Sequence, residues 1–225
     1  MNYNSVYKCY SGKTLYWLPS DKEEWYQFNI SNNYQKLQDY NWINANITYQ
    51  FNSLGFRSEE FIEKGIMFLG CSHTCGIGLP MNNIWTSIVA KELQLPQCNF
   101  GQGGTSSDTA FRMCLGYIEK IKPKIVIYCE PPGTRFEIVN DDKIFSVTID
   151  NDPLKVFNTW SKDDNNIFFS LRKNYYAIKW LCHERDIKFV HYIAKFDYVD
   201  LARDLIHPGI QSNVHFARQV LNLIE

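Results

Sequence analysis

Residues 66–80 read "IMFLGCSHTCGIGLP", and this stretch decides how the rest of the chain is read. Four large apolar residues, Ile66 to Leu69, make a run short enough for a buried strand and too short for a buried helix. Gly70 ends the run, and Cys71, Ser72 and His73 follow on a turn crowded by Gly76 and Gly78. A hydroxyl, two thiols and an imidazole at a strand end admit four readings: a nucleophile, a metal site, a phosphate cradle or an ordinary tight turn.

Outward from that stretch the chain alternates. "NNIWTSIVAKELQL" carries a helical apolar stripe ended by Pro96, and "QCNFG" is a second short strand. "SSDTAFRMCLGYIEKI" predicts a helix with Ser106 or Ser107 as N-cap. "KIVIYCE" is the clearest strand, "IFFSLRKNYYAIKWLCHER" a helix, "IKFVHYI" a strand, and about Ile210 to Ile224 a final helix. Strands alternating with helices predict a parallel sheet covered on both faces. In such sheets ligands sit at the carboxyl ends of the strands. That rule gathers Ser72, the loop after Asn99, the loop after Glu130 and the loop carrying "DLARDLIHPG" at one edge.

Two regions fall outside the rhythm. Residues 1–60, rich in Asn, Tyr and Trp, predict an irregular, partly stranded segment packed on a main domain of residues 61–225. Residues 131–165, opened by Pro131-Pro132-Gly133 and then polar, predict an insertion or lid over one end of the sheet.

Composition narrows the function. With 225 residues the chain suits one well-cored domain. A hydrophobic content of 45% excludes a disordered chain, and a net charge of −1 argues against nucleic acid or an anionic membrane surface as partner. No apolar stretch reaches the length of a membrane span, and the first residues lack a secretion-signal pattern. Seven scattered cysteines then suggest reduced thiols and a cytoplasmic setting, and Arg57, Arg112 and Arg135 suggest surface or ion-pairing roles, Arg135 alone being also a functional candidate.

The turn residues separate the four readings. A P-loop needs Lys-Ser/Thr at its end, and zinc sites want recurring tight Cys or His pairs; neither is present. Ser72 would be a nucleophile only with a base to take its proton. His207 is the candidate, and Asp204, three residues earlier, is spaced to hold its ring. In "NFGQGGTSS", Gly103 and Gly104 let backbone N–H groups approach a developing oxyanion, beside the N–H of Ser72 itself.

Together these residues resemble the SGNH, or GDSL-type, hydrolases. "GCSHTCGIGLP" resembles the first block, with Ser72 as nucleophile; "NFGQGGTSSDT" resembles the second, with Gly104 as the oxyanion glycine. "DLIHPG" is similar to the last block, an Asp-x-x-His with Asp204 and His207. "FNSLGFRSEEF" at 51–61 resembles a segment found just upstream of the first block. The resemblance covers about residues 51–220 and implies a flavodoxin-like three-layer α/β/α sandwich. It further implies a serine esterase acting without cofactor or metal on a small-molecule or carbohydrate ester, an O-acetyl group on a sugar above all. An acyltransferase would use the same triad, and a binding module could keep the fold with weakened chemistry. Two positions depart from the pattern. Cys71 replaces the usual acidic residue, and "CEPPGTRFE" lacks the third-block Asn, leaving Thr134 or Arg135 as a third oxyanion donor or a substrate contact.

Overall fold

The computed structural model describes residues 3–140, 143–148, 152, 157–160, 163–194 and 197–225. In chain order the N-terminal segment holds strand β1 (Thr14–Leu15), helices α1 (Glu23–Asn32) and α2 (Tyr34–Asp39) and strand β2 (Tyr49–Gln50). Then come β3 (Ile66–Leu69), the single-turn α3 (Ser72–Cys75), α4 (Trp85–Glu92), β4 (Gln97–Asn99), α5 (Ser107–Ile121) and β5 (Ile125–Cys129). They are followed by β6 (Phe136–Asn140), β7 (Lys143–Val147), α6 (Phe157–Trp160), α7 (Asp164–His183), β8 (Lys188–Tyr192) and α8 (Ile210–Ile224).

Four strands form the central sheet in the order β4-β3-β5-β8, each pair parallel. Side chains alternate across a strand, so each strand feeds two cores. Met67 and Leu69 of β3, with Val126 and Tyr128 of β5, pack on Met113 and Cys114 of α5 and Ile178 and Cys182 of α7. Ile66 and Phe68, with Ile125 and Ile127, face the other way, onto Trp85 and Val89 of α4 and Phe216 and Val220 of α8. Both faces are covered, which is why the strands read as unbroken apolar runs. This is the three-layer α/β/α sandwich.

Helix α5 starts where the sequence puts its cap. The Ser106 hydroxyl accepts from the N–H groups of Asp108 and Thr109, and the Thr109 hydroxyl accepts from the Ser106 N–H. A cap of this kind contributes about 1 kcal/mol, and here it points the N-terminus of α5 towards the loop holding Gly104.

The segment 131–165 contributes an antiparallel hairpin, β6–β7, with Ile138 opposite Phe145. Arg112 of α5 grips it through Glu137, with Nε and Nη2 each 2.8 Å from a carboxylate oxygen. The rest of the expected lid lies partly outside the described residues.

The N-terminal segment is more regular than its composition suggests, since α1 and α2 account for sixteen of its residues. The helical period of α1 is masked because its apolar residues do not share one face: Trp25 and Phe28 stay exposed. Leu37, Trp42, Ile47 and Tyr49 bury themselves against Cys75, Ile77, Leu79, Ile84 and Ala202. The segment therefore packs directly behind the Ser72 turn and the loop that precedes α8.

Candidate active site

Four loops at the carboxyl ends of the four sheet strands meet in one place. Ser72 follows β3, Gly104 follows β4, Thr134 and Arg135 follow β5, and His207 lies beyond β8. All five line a single cavity of about 350 Å³, together with Ser20, Thr148 and Ile206. A second, wider cleft of about 920 Å³ adjoins it through Ser20, Gly104, Thr148, Ile206 and His207. Tyr7, Tyr10 and Trp25 of the N-terminal segment line that cleft on one side, and Phe145 of the hairpin lines it on the other.

The Ser72 turn is built tightly. A Cβ at Gly70 would fall 2.1 Å from the Thr74 hydroxyl and 2.9 Å from the Cys129 carbonyl, so only glycine lets β3 pass into α3 there. Ser72 is 6% exposed. As the first residue of its helical turn its N–H has no intrahelical acceptor, and among the described residues it makes no hydrogen bond. The carbonyls on the far side of the turn are held by Arg57, which is fully buried and donates to the carbonyl oxygens of Cys75, Gly76 and Leu79. The expectation of a surface or ion-pairing Arg57 is thus corrected: it stacks on Tyr49, 4.3 Å from the ring centroid, and serves backbone oxygens rather than a carboxylate. Arg112, by contrast, does pair, with Glu137.

Gly104 adopts φ +72°, a left-handed conformation that favours glycine, and a Cβ there would meet nothing within 4 Å. Its carbonyl accepts from the Ser146 hydroxyl at 2.6 Å, while its N–H has no acceptor among the described residues. Gly103 differs from expectation. Its N–H donates to the Tyr7 hydroxyl at 2.8 Å, so it is already occupied.

Asp204 and His207 form a closed unit. One carboxylate oxygen of Asp204 pairs with His207 Nδ1, and the other accepts from the N–H groups of Ile206 and His207, each at 3.0 Å. The Asp204 side chain is 1% exposed and that of His207 13%, so the carboxylate is at the back and the ring at the cavity wall. With Nδ1 engaged, Nε2 is the ring nitrogen left for a substrate or nucleophile. Among the described residues Ser72 and His207 make no hydrogen bond to each other, although both line the same cavity.

The loop bearing Asp204 is tied to the N-terminal segment by its neighbour. Buried Arg203 donates to Asp21 at 2.6 Å and to the Tyr16 carbonyl at 3.0 Å, and it stacks on Trp17. Tyr49 donates to the same Asp21 carboxylate and accepts from the Gly78 N–H at 2.9 Å. Asp21 thereby connects the His207 loop to the Ser72 turn. Nothing in the residue pattern marked Asp21, Arg203 or Tyr49, because their partners lie far away in sequence.

His73 sits beside the pair, its ring centroid 6.0 Å from that of His207 and its Nε2 3.0 Å from the Tyr198 hydroxyl. Burial holds its pKa down at about 4, helped by the neighbouring His207 and Arg135 and opposed by Asp204. Cys75 is inert for a related reason: burial pushes its thiol up to about 11.

Neither a protein-family model nor a curated protein matches the sequence. Solved structures do. The chain is similar in fold to TesA. The two superpose with a TM-score of 0.51 at 12% identity, over 72% of this chain and 98% of TesA. Lower-scoring likenesses include a lipolytic protein of the G-D-S-L family from Desulfitobacterium hafniense, with TM-score 0.42, 14% identity, and 72% and 99% of the two chains covered. Another is a family two carbohydrate esterase from Clostridium thermocellum, solved with cellohexaose, at TM-score 0.41 and 13% identity, covering 73% of this chain and 64% of that one.

Proposed function

We propose that this chain is a serine esterase of the SGNH type that hydrolyses an acyl ester, an O-acetyl group on a carbohydrate being the substrate class. Ser72 Oγ attacks the ester carbonyl while His207 Nε2 takes its proton. The tetrahedral oxyanion is held by the N–H groups of Ser72 and Gly104, both without another acceptor among the described residues. His207 then passes the proton to the departing alcohol. Water, deprotonated by the same ring, releases the acid and restores Ser72. Asp204 fixes the tautomer and stabilises the imidazolium as it forms.

The observation that carries this reading is the buried Asp204 carboxylate on His207 Nδ1, with the ring lining one cavity with Ser72 and Gly104. The open Ser72–His207 contact is compatible with it, since such bonds are often long before substrate binds. A weakened binding module would also leave that bond unmade; the loop at Gly104 is not blocked, since a Cβ there would meet nothing within 4 Å.

Labelling with a fluorophosphonate probe, read by intact mass, tests the assignment. Wild type should take one adduct, while Ser72→Ala and His207→Ala should take none. Turnover of an activated acetyl ester should fall about 10³-fold or more in either variant, given how strongly such groups act together. Unlabelled, folded wild type would sink the esterase reading.

A further inference from the structure

Among the described residues the cavity has one permanent charge on its wall. Of its eight lining residues only Arg135 is permanently ionised, and no Asp or Glu is among them. Among the described residues the adjoining cleft is lined without any Asp, Glu, Lys or Arg. Among the described residues Arg135 forms no ion pair, and its Nη1 is buried with no hydrogen-bond partner. Its field is nevertheless felt inside the site, because it contributes to keeping the His73 imidazole neutral.

A buried guanidinium nitrogen without an acceptor costs free energy in the unliganded protein. The buried arginines here place most of their nitrogens: Arg57 spends both Nη groups on carbonyls and leaves only Nε without a partner, Arg112 pairs with Glu137 and Arg203 with Asp21. Around Arg135 the cavity offers hydroxyls, Ser20, Thr134 and Thr148, which can donate to an anion as well. A transient oxyanion would relieve Arg135 only at the transition state. An anion carried by the bound substrate relieves it throughout, and a planar guanidinium suits a carboxylate.

We propose, resting on the esterase reading above, that the substrate carries a carboxylate close to the scissile ester and that Arg135 binds it. An acetyl group has no room for a charge, so the anion belongs to the alcohol half: an O-acylated acidic sugar or hydroxy acid. The cleft between the N-terminal segment and the hairpin, whose described lining carries no charged side chain, then takes the remainder of that alcohol.

The test compares 4-acetoxybenzoate with its neutral methyl ester, which present the same acetyl group. The ratio of their kcat/KM values should drop about 10- to 100-fold from wild type to Arg135→Gln, as for loss of a charged hydrogen bond, and Arg135→Lys should recover part of it. In parallel, calorimetric titration of Ser72→Ala with 4-acetoxybenzoate should show binding that weakens by a similar factor when Arg135→Gln is added. Equal loss for both esters would make Arg135 an oxyanion donor and overturn the proposal. An unchanged ratio with unchanged binding would overturn it too, with the esterase reading intact. Arg135-dependent binding without turnover of either ester would support the anion site and sink the esterase reading instead.

Discussion

His73 is a base that the fold keeps from acting as one. In an unfolded chain its imidazole takes a proton near pH 6.5, whereas in the folded protein burial, with His207 and Arg135 beside it, holds that event down to about 4. Between those values the unfolded state binds one more proton than the native state, so stability falls as pH is lowered from about 6.5 to 4 and is full above that window. The expectation is a steeper fall in urea stability between pH 7.5 and 4.5 for wild type than for His73→Gln, which removes the titrating group. Equal slopes would show that His73 is solvated and titrates normally. At this scale the sequence was informative where side chains cluster in short motifs: Ser72, Gly104, Thr134, Arg135, Asp204 and His207 all belong to one cavity edge or to the pair behind it. It was silent on Arg57, whose partners are backbone carbonyls, since any residue type supplies a carbonyl.

The elements around the site depend on a contact no element contains by itself. Asp21 lies just before α1, yet its carboxylate holds Arg203 on the loop before α8 and Tyr49 in β2. Burial with Asp21 beside it keeps the Tyr49 phenol well above its ordinary pKa, so it remains a donor. Removing one member of a buried ion pair typically costs about 3–5 kcal/mol because the partner's charge is stranded. For a chain of this size that is a fall in melting temperature on the order of 6–20 °C. Asp21→Asn should show that fall by thermal denaturation and, well below the transition, a reduced kcat through displacement of Asp204. A variant with wild-type stability would mean that Arg203 is solvated and the tether is absent. Boundaries show the same limit of local reading. The cap at Ser106 was legible because it is a local hydrogen bond, while α1 was missed because its apolar residues are divided between the core and solvent.

For the whole molecule, the alternation of buried strands and amphipathic helices was readable because a parallel sheet covered on both faces demands continuous apolar strands. The strand order β4-β3-β5-β8 was not, because register and order depend on how helices pack rather than on any one strand's composition. The same burial makes a prediction about the cysteines, all seven of which are free thiols. Six are buried, and burial raises Cys75 and Cys98 to about 11, so their reactive thiolates are scarce as well as shielded. Only Cys9 is exposed, on the wall of the wider cleft. Brief treatment with N-ethylmaleimide at neutral pH should therefore add one adduct to the native protein, and peptide mapping should place it at Cys9. In concentrated urea all seven should react, with the six buried thiols appearing over the range in which the fold is lost, since Cys98, Cys114 and Cys182 share one core and Cys129 lies in the other. Several rapid adducts on the native protein would contradict this sandwich, because no partial opening exposes Cys114 and Cys182 without parting α5 from α7.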